Sequence, residues 1–332
     1  MWLSRLYLKN YDYYLTVLLC FVSSSSVIAV SNEILNQRSS AVLLRLPILY
    51  VYSFVEAICS TGLPDYLKVA LEQAIYTQFD SEIFFASNFA ECEVVYNASR
   101  IINHLNLVDT TYIESNRTKL FRNSLQHMVV RDKGGELWMT SALRFFLIED
   151  VMRFMGFNEV MHVEGDNLLY GELTSILPVL RTGYPRLAAT PLTHPKVFIT
   201  ASVFWVANIT ALIEFNNYLL NLGNNKNGLW EEYCLWLARN GGGKSGVGVD
   251  PISIKIGIKP FAINEMSMLA YYHSSHPSEL KLLPVVPKYN YGITYVNRYI
   301  FNISEYGPFG RQVGPQTGEG IWDSGSWGQV SE

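Results

Sequence analysis

Apolar runs of strand length alternate with segments of helical period along most of this chain, and that alternation restricts the fold more than any other feature. "LPILYVYSF" (46–54) is continuously apolar and aromatic, as a strand buried on both faces of a parallel sheet must be. In the segment behind it, "STGLPDYLKVALEQAIYTQF", Pro64 stands where a first helical turn tolerates it. Leu67, Ala70, Leu71, Ala74 and Ile75 then recur at helical spacing, opposite Lys68, Glu72 and Gln73. "SEIFFASN" (81–88) reads as a second strand, which closes a right-handed parallel strand–helix–strand unit. The order continues with "ECEVVYNASRIINHL" as helix and "NLVDTTYI" as strand and turn. "GELWMTSALRFFLIEDVMRFMGF" (135–157) carries the strongest helical pattern, with Gly156 as its stop. "EVMHVEGD" then reads as a strand, "ELTSILPVL" as a short helix, and "RLAATPL" and "KVFITASVFWVAN" as strands. "ITALIEFNNYLLNLG" (209–223) and "NEMSMLAYY" (264–272) return to helix. The expected class is therefore a three-layer α/β domain on a mostly parallel sheet.

Composition supports one core-rich globular domain. Hydrophobic residues make up 49% of the 332, and charged residues only 16%. The formal net charge of -4, with no long basic run, excludes nucleic acid as the expected partner. Arg5 and Lys9 precede a stretch without charge from Tyr14 to Val30. That is the pattern of a secretory signal peptide, with Val27 and Ala29 suited to a cleavage site, or of an uncleaved signal anchor. The expected organisation is a leader at 1–30, a short polar stem at 31–44 and one domain over 45–332, in the lumen of the secretory pathway (ER or Golgi) or secreted. Membrane contact is expected only through such an anchor. Acceptor triplets at Asn97, Asn116, Asn208 and Asn302 agree with export. Cys20 lies in the leader; Cys59, Cys92 and Cys234 allow at most one bridge and leave one thiol over.

Two glycine-rich segments, "NNKNGLW" and "RNGGGKSGVGVDP", read as surface loops. The second ends in Gly243-Lys244-Ser245, as a phosphate loop does, but Ala238 stands where the earlier glycine is required.

The chemistry concentrates in "MHVEGDNLLYGEL" (161–173), where Glu164 and Asp166 arrive at a strand end with one glycine between them. Ligands collect beyond the carboxyl ends of parallel strands. Two carboxylates turned to one point suit a hard cation such as Mg²⁺, Mn²⁺ or Ca²⁺. With open positions left for a diphosphate, such a cation stabilises a phosphate-linked leaving group. Asn167 offers a further carbonyl or an anchor for a ribose hydroxyl. Gly-Asp-Asn is equally good turn chemistry for solvated acids. His162 reads as a satisfied strand histidine.

This order resembles the GT-A type glycosyltransferases, the nucleotide-sugar-binding α/β fold, in which an acid-x-acid motif ends a central strand and binds a divalent metal with the sugar nucleotide. Glu164-Gly165-Asp166 matches that motif in form. "ILYVYSF" with "LPDYLKVALEQAIYTQFDSEIFFAS" is similar to the family's opening strand–helix–strand. The pairing of "LWMTSALRFFLIEDVM" with "HVEGDNLLY" resembles a poorly characterised group of glycosyltransferase-like proteins. Two features depart from the pattern: the first acid is Glu164 rather than aspartate, and the chain stops soon after "GIWDSGSWGQ", so its C-terminus is expected to be cut short.

The resemblance implies a metal-dependent glycosyltransferase using Mn²⁺ or Mg²⁺ on Glu164 and Asp166. It implies a nucleotide-sugar donor and a glycan or glycoprotein acceptor. Ser87 and Asn88 would then face the base or ribose, with Arg117 and Arg144 as two-pronged partners of the diphosphate and Asn167 beside them. Glu265, at the head of an apolar helix, is a candidate base for the acceptor hydroxyl, and Asp323 a second candidate at the metal or acceptor. Each has a structural alternative: a strand-to-turn transition, an ion pair within one helix, or an acid that complements a helix dipole. A non-catalytic lumenal sugar- or cation-binding protein and a metal-dependent phosphoesterase remain as rival functions. The second lacks any two-metal spacing of histidines and aspartates.

Overall fold

The computed structural model describes residues 45–53, 59, 62–128, 135–191, 198–240 and 264–283, and of 125–128 and 135–139 the backbone alone. The chain divides into two units, 1–45 and 46–332, and all the elements below belong to the second. In order they are β1 (Pro47–Val51), α1 (Asp65–Thr77), β2 (Glu82–Ser87), α2 (Glu93–Ser99), β3 (Asn106–Asp109), the short α3 (Thr110–Ile113), α4 (Asn116–Met128) and α5 (Gly135–Met155). Then follow β4 (Val160–Val163), α6 (Leu177–Gly183), β5 (Leu187–Pro191), β6 (Ile199–Val206), α7 (Ile209–Gly223), α8 (Leu229–Asn240), α9 (Glu265–Ser275) and β7 (Leu280–Leu282).

The strands form one sheet in the order β3-β2-β1-β4-β6-β5-β7. β1 pairs in parallel with β2 and β4, β2 with β3, and β5 with β7. β6 runs antiparallel to both of its neighbours, β4 and β5. This is the mixed, mostly parallel α/β architecture the sequence predicts. β4 stands at the junction, with a parallel partner on one side and an antiparallel one on the other.

Alternating side chains split the core into two layers. Leu49, Val160, Phe204 and Val206 face α5, α7, α8 and α9. Ile48, Tyr50, Met161, Val163 and Trp205 face α1, α2 and α6. Every residue of β6 is buried, Thr200 and Ser202 included, as suits a strand covered on both faces. Helix limits follow local chemistry. Gly156, at φ 73°, ends α5 in a conformation that costs glycine little. The Asn208 side chain caps α7, and Asn264 and Ser267 form a reciprocal capping box at α9.

Several expectations need correction. The helix expected from residue 91 is interrupted: a 3₁₀ turn precedes α2, which ends at Ser99. Behind β3 the expected turn winds into α3. α4 is strongly polar and carries no apolar stripe that marks it as a helix; it docks through buried Phe121 and through Thr118, whose hydroxyl donates to Asp150. α8 did carry a signal, since Trp230, Tyr233, Cys234 and Leu237 are its buried side chains at helical spacing.

Cys59 and Cys92 form a disulfide, and Cys234 is buried and free. Among the described residues, no helix is long and apolar enough to cross a membrane. The expected leader and stem, the loop at 241–251, Asn302 and Asp323 lie outside the described residues.

Candidate functional site

Glu164 is the first residue past β4, and its N–H donates to the Ser202 carbonyl at 2.9 Å, which prolongs the pairing with β6 by one step. Its own carbonyl accepts from Asn167 N–H at 3.1 Å, so residues 164–167 form a tight turn. The Asn167 side chain donates to Asp166 Oδ1 at 3.0 Å. The expected acid pair therefore stands at the carboxyl end of a strand at the middle of the sheet. Gly165 packs closely on α1: a Cβ there would lie 2.5 Å from Leu67 Cδ1, so the buried Leu67 side chain would have to shift.

Beneath the pair, on the α5 face, lies a buried polar cluster of Arg144, Glu265 and His162. Arg144 of α5 donates to Glu164 Oε1 and forms an ion pair with it. Burial works against the guanidinium's charge, but Glu164, Glu265 and Asp166 together hold it protonated beyond its ordinary range. Glu265, at the first turn of α9, is only 4% exposed, and its Oε2 has no hydrogen-bond partner. Burial raises its pKa to about 7; nearby Arg144 pulls it down and Glu164 pushes it up. His162, on β4, shares a ring-nitrogen bond with the Leu49 carbonyl at 2.8 Å, so Nδ1 carries the proton and Nε2 is left buried without a partner. Burial, and then Arg144, lower its pKa to about 3. His162 is thus a neutral strand histidine at the floor of the cluster.

On the other side of the turn, the Tyr52 and Tyr66 hydroxyls lie 3.1 Å apart, one just past β1 and the other in the first turn of α1. Partial burial raises the Tyr66 phenol well above its ordinary range, as do Tyr52 and then the charge of Asp166. Neither tyrosine was singled out from the sequence. The residue past an apolar strand is the signal that points to Tyr52.

The remaining expected residues divide. Ser87 ends β2 and is buried, with its hydroxyl 3.4 Å from Asn88 Oδ1. Asn88 donates to Glu91 at 2.8 Å. Both sit at the carboxyl end of the strand next to β1, on the same edge of the sheet as Glu164. Arg117 belongs to a different arrangement: it donates to Asn217 at 2.7 Å and pairs with buried Glu149 at 3.3 Å, which ties α4 to α5 and α7. The structure thus brings together Glu164, Asp166, Asn167, Arg144 and Glu265.

As a cation site, Glu164 and Asp166 supply hard oxygen donors, with one Glu164 oxygen already engaged by Arg144. Among the described residues, no group of three or more His, Cys, Asp or Glu side chains is placed to hold a metal ion. Two carboxylates suit Mg²⁺ or Mn²⁺, which bind through one or two carboxylates and complete their shells with water and substrate phosphates.

No family model matches the chain, and no curated protein matches it. Among solved structures, apo mouse xyloside xylosyltransferase 1 is similar at 9% identity and a TM-score of 0.46, over 72% of this chain and 85% of that one. The PaToxG glycosyltransferase is similar at 8% identity and a TM-score of 0.38, over 75% of this chain and 78% of that one.

Proposed function

We propose that this protein is a glycosyltransferase that moves a sugar from a nucleotide-diphosphate donor to a hydroxyl of a glycan or glycoprotein, with Mn²⁺ or Mg²⁺ held by Asp166 and Glu164. The observation that carries the reading is the place of the acid pair. It leaves the carboxyl end of β4, where the sheet changes from parallel to antiparallel, directly above a buried arginine. Open α/β sheets bind phosphorylated ligands at such an edge. The sequence resemblance to GT-A type enzymes points to the same residues.

In this reading the nucleotide lies along the ends of β1 and β2, near Tyr52, Ser87 and Asn88. When bound, the cation offsets the charge of the diphosphate. Arg144 adds a fixed positive charge below it, and its pairing with Glu164 keeps the guanidinium oriented without reorganisation during the reaction. The acceptor oxygen attacks the anomeric carbon, the bond from that carbon to the phosphate oxygen breaks, and the diphosphate leaves with the electron pair. Glu265 takes the hydroxyl proton in an inverting course. A carboxyl with a pKa of about 7 and an unpartnered oxygen suits a base that works near neutrality. The Cys59–Cys92 bridge agrees with an oxidising lumen.

The test is release of free nucleoside diphosphate from a panel of sugar nucleotides. Release that an acceptor glycan and Mn²⁺ both stimulate, and that Glu265→Gln slows about 100-fold or more, is the expected result. Metal-dependent binding with no release in any combination identifies a binding protein instead.

A further inference from the structure

Just beyond Asp166 the chain leaves the sheet and runs alongside α1, where Gln73 of that helix and Gln78 at its C-cap hold its backbone. Gln73 Oε1 accepts from Leu169 N–H at 2.8 Å, and Gln73 Nε2 donates to the carbonyl of the same residue. Thr77 donates to that carbonyl at 2.8 Å. Gln78 Oε1 accepts from Leu173 N–H at 2.8 Å, and Gln78 Nε2 donates to the Gly171 carbonyl at 2.6 Å. Side chains along the segment alternate as on a strand edge: Leu169 and Leu173 are buried, whereas Leu168 is 37% and Tyr170 62% exposed.

We infer that Gln73 and Gln78 are positioning residues for the acid pair, each standing in for a strand's peptide group so that α1 holds the loop that carries Asp166. A side-chain amide has the same donor and acceptor as a peptide group. The helix thereby satisfies backbone groups that no neighbouring strand reaches. The loop is fixed on both flanks of Asp166, by the close approach of Gly165 to Leu67 on one side and by Gln73 at Leu169 on the other. Packing alone does not call for these residue types, since leucine or methionine would cover the same surface. This inference rests on the reading that Asp166 grips a cation–diphosphate.

The experiment uses the full chain and compares wild type with Gln73→Met and with Gln73→Met/Gln78→Met. Hydrogen exchange is read at the Leu169 and Leu173 amides, and titration calorimetry measures UDP and GDP with Mn²⁺, with the bare nucleosides as controls. Faster exchange at these amides and a loss of diphosphate affinity of about tenfold or more, at unchanged nucleoside affinity, is the expected result. Gln73 is only partly buried, so the single variant keeps the test open should the double variant fail to fold. Unchanged exchange, or faster exchange with unchanged diphosphate affinity, overturns the inference. A wild type that binds neither diphosphate overturns the functional reading instead, and the exchange rates then still decide whether the glutamines hold the loop.

Discussion

The guanidinium of Arg144, on α5, is buried against the carboxylate of Glu164 at the end of β4, so that one member of the acid pair serves both the site and the fold. Removing one partner of a buried pair leaves the other charge uncompensated. Arg144→Met is therefore expected to cost about 3 kcal/mol in urea unfolding. Arg144→Lys should recover only part of it, because a point charge cannot reproduce the planar fork that Glu164 and its neighbours hold. A stable Arg144→Met protein would show that Glu164 finds its compensation elsewhere.

Stability should respond to pH through two buried groups with opposite signs. Glu265 has its pKa raised from 4.5 to about 7, so the native state binds the extra proton and stability falls as pH rises through that window. His162 has its pKa lowered from 6.5 to about 3, so the unfolded state binds the extra proton and stability rises with pH up to about 6.5. Where the windows overlap the two slopes cancel, each being about 1.4 kcal/mol per pH unit. Glu265→Gln should unmask the His162 slope below pH 6.5. At pH 8 it should also make the protein more stable than wild type by about 2–3 kcal/mol. In the proposed reading, the carboxyl that takes the acceptor proton is also one whose burial costs stability. Denaturant midpoints across the pH range check this, and a variant with the wild-type profile contradicts it.

Gly165 is held by contact, not by backbone conformation. Gly165→Ala drives a methyl into Leu67, a fully buried side chain of α1, and is expected to cost about 1–2 kcal/mol. In a double-mutant cycle with Leu67→Ala, the two changes should show favourable coupling, since the second opens the space that the first fills. Additive effects would mean that the turn moves as a whole.

The disulfide joins Cys59, behind β1 in sequence, to Cys92 at the N-cap of α2, 33 residues on. Replacing both cysteines by serine should lower stability by about 4 kcal/mol on the chain-entropy account. Melting temperatures with and without reductant on the wild type provide the independent check, and an insensitive protein would contradict it.

Much of this was legible in the sequence for physical reasons that can be named. Strands buried on both faces announce themselves as apolar-rich runs of strand length, so β1, β2, β4 and β6 are legible directly, and with them the place of Glu164 and Asp166. Asn167 and Arg144 followed from nearness in sequence or from charge on a long helix. What stayed hidden depends on tertiary contacts. Arg117 looks like any site arginine until Glu149 and Asn217 close on it. The burial of Glu265 is a property of how α9 packs, which no local pattern reports. Gln73 stands with Lys68 and Glu72 on the polar side of the helical pattern, yet its amide bonds the backbone of Leu169 behind the acid pair. α4 lacked a hydrophobic stripe because its buried side includes Thr118 and Ser124, satisfied by hydrogen bonds rather than by apolar packing.

The most direct measurement is the thermal shift produced by sugar nucleotides with and without Mn²⁺, on wild type and on Asp166→Ala. A nucleotide at about 100 times its dissociation constant stabilises the native state by about 2.7 kcal/mol, a shift of several degrees at most. The account predicts a shift that needs both nucleotide and metal in the wild type and that disappears in Asp166→Ala. The same metal-dependent shift in Asp166→Ala would contradict it.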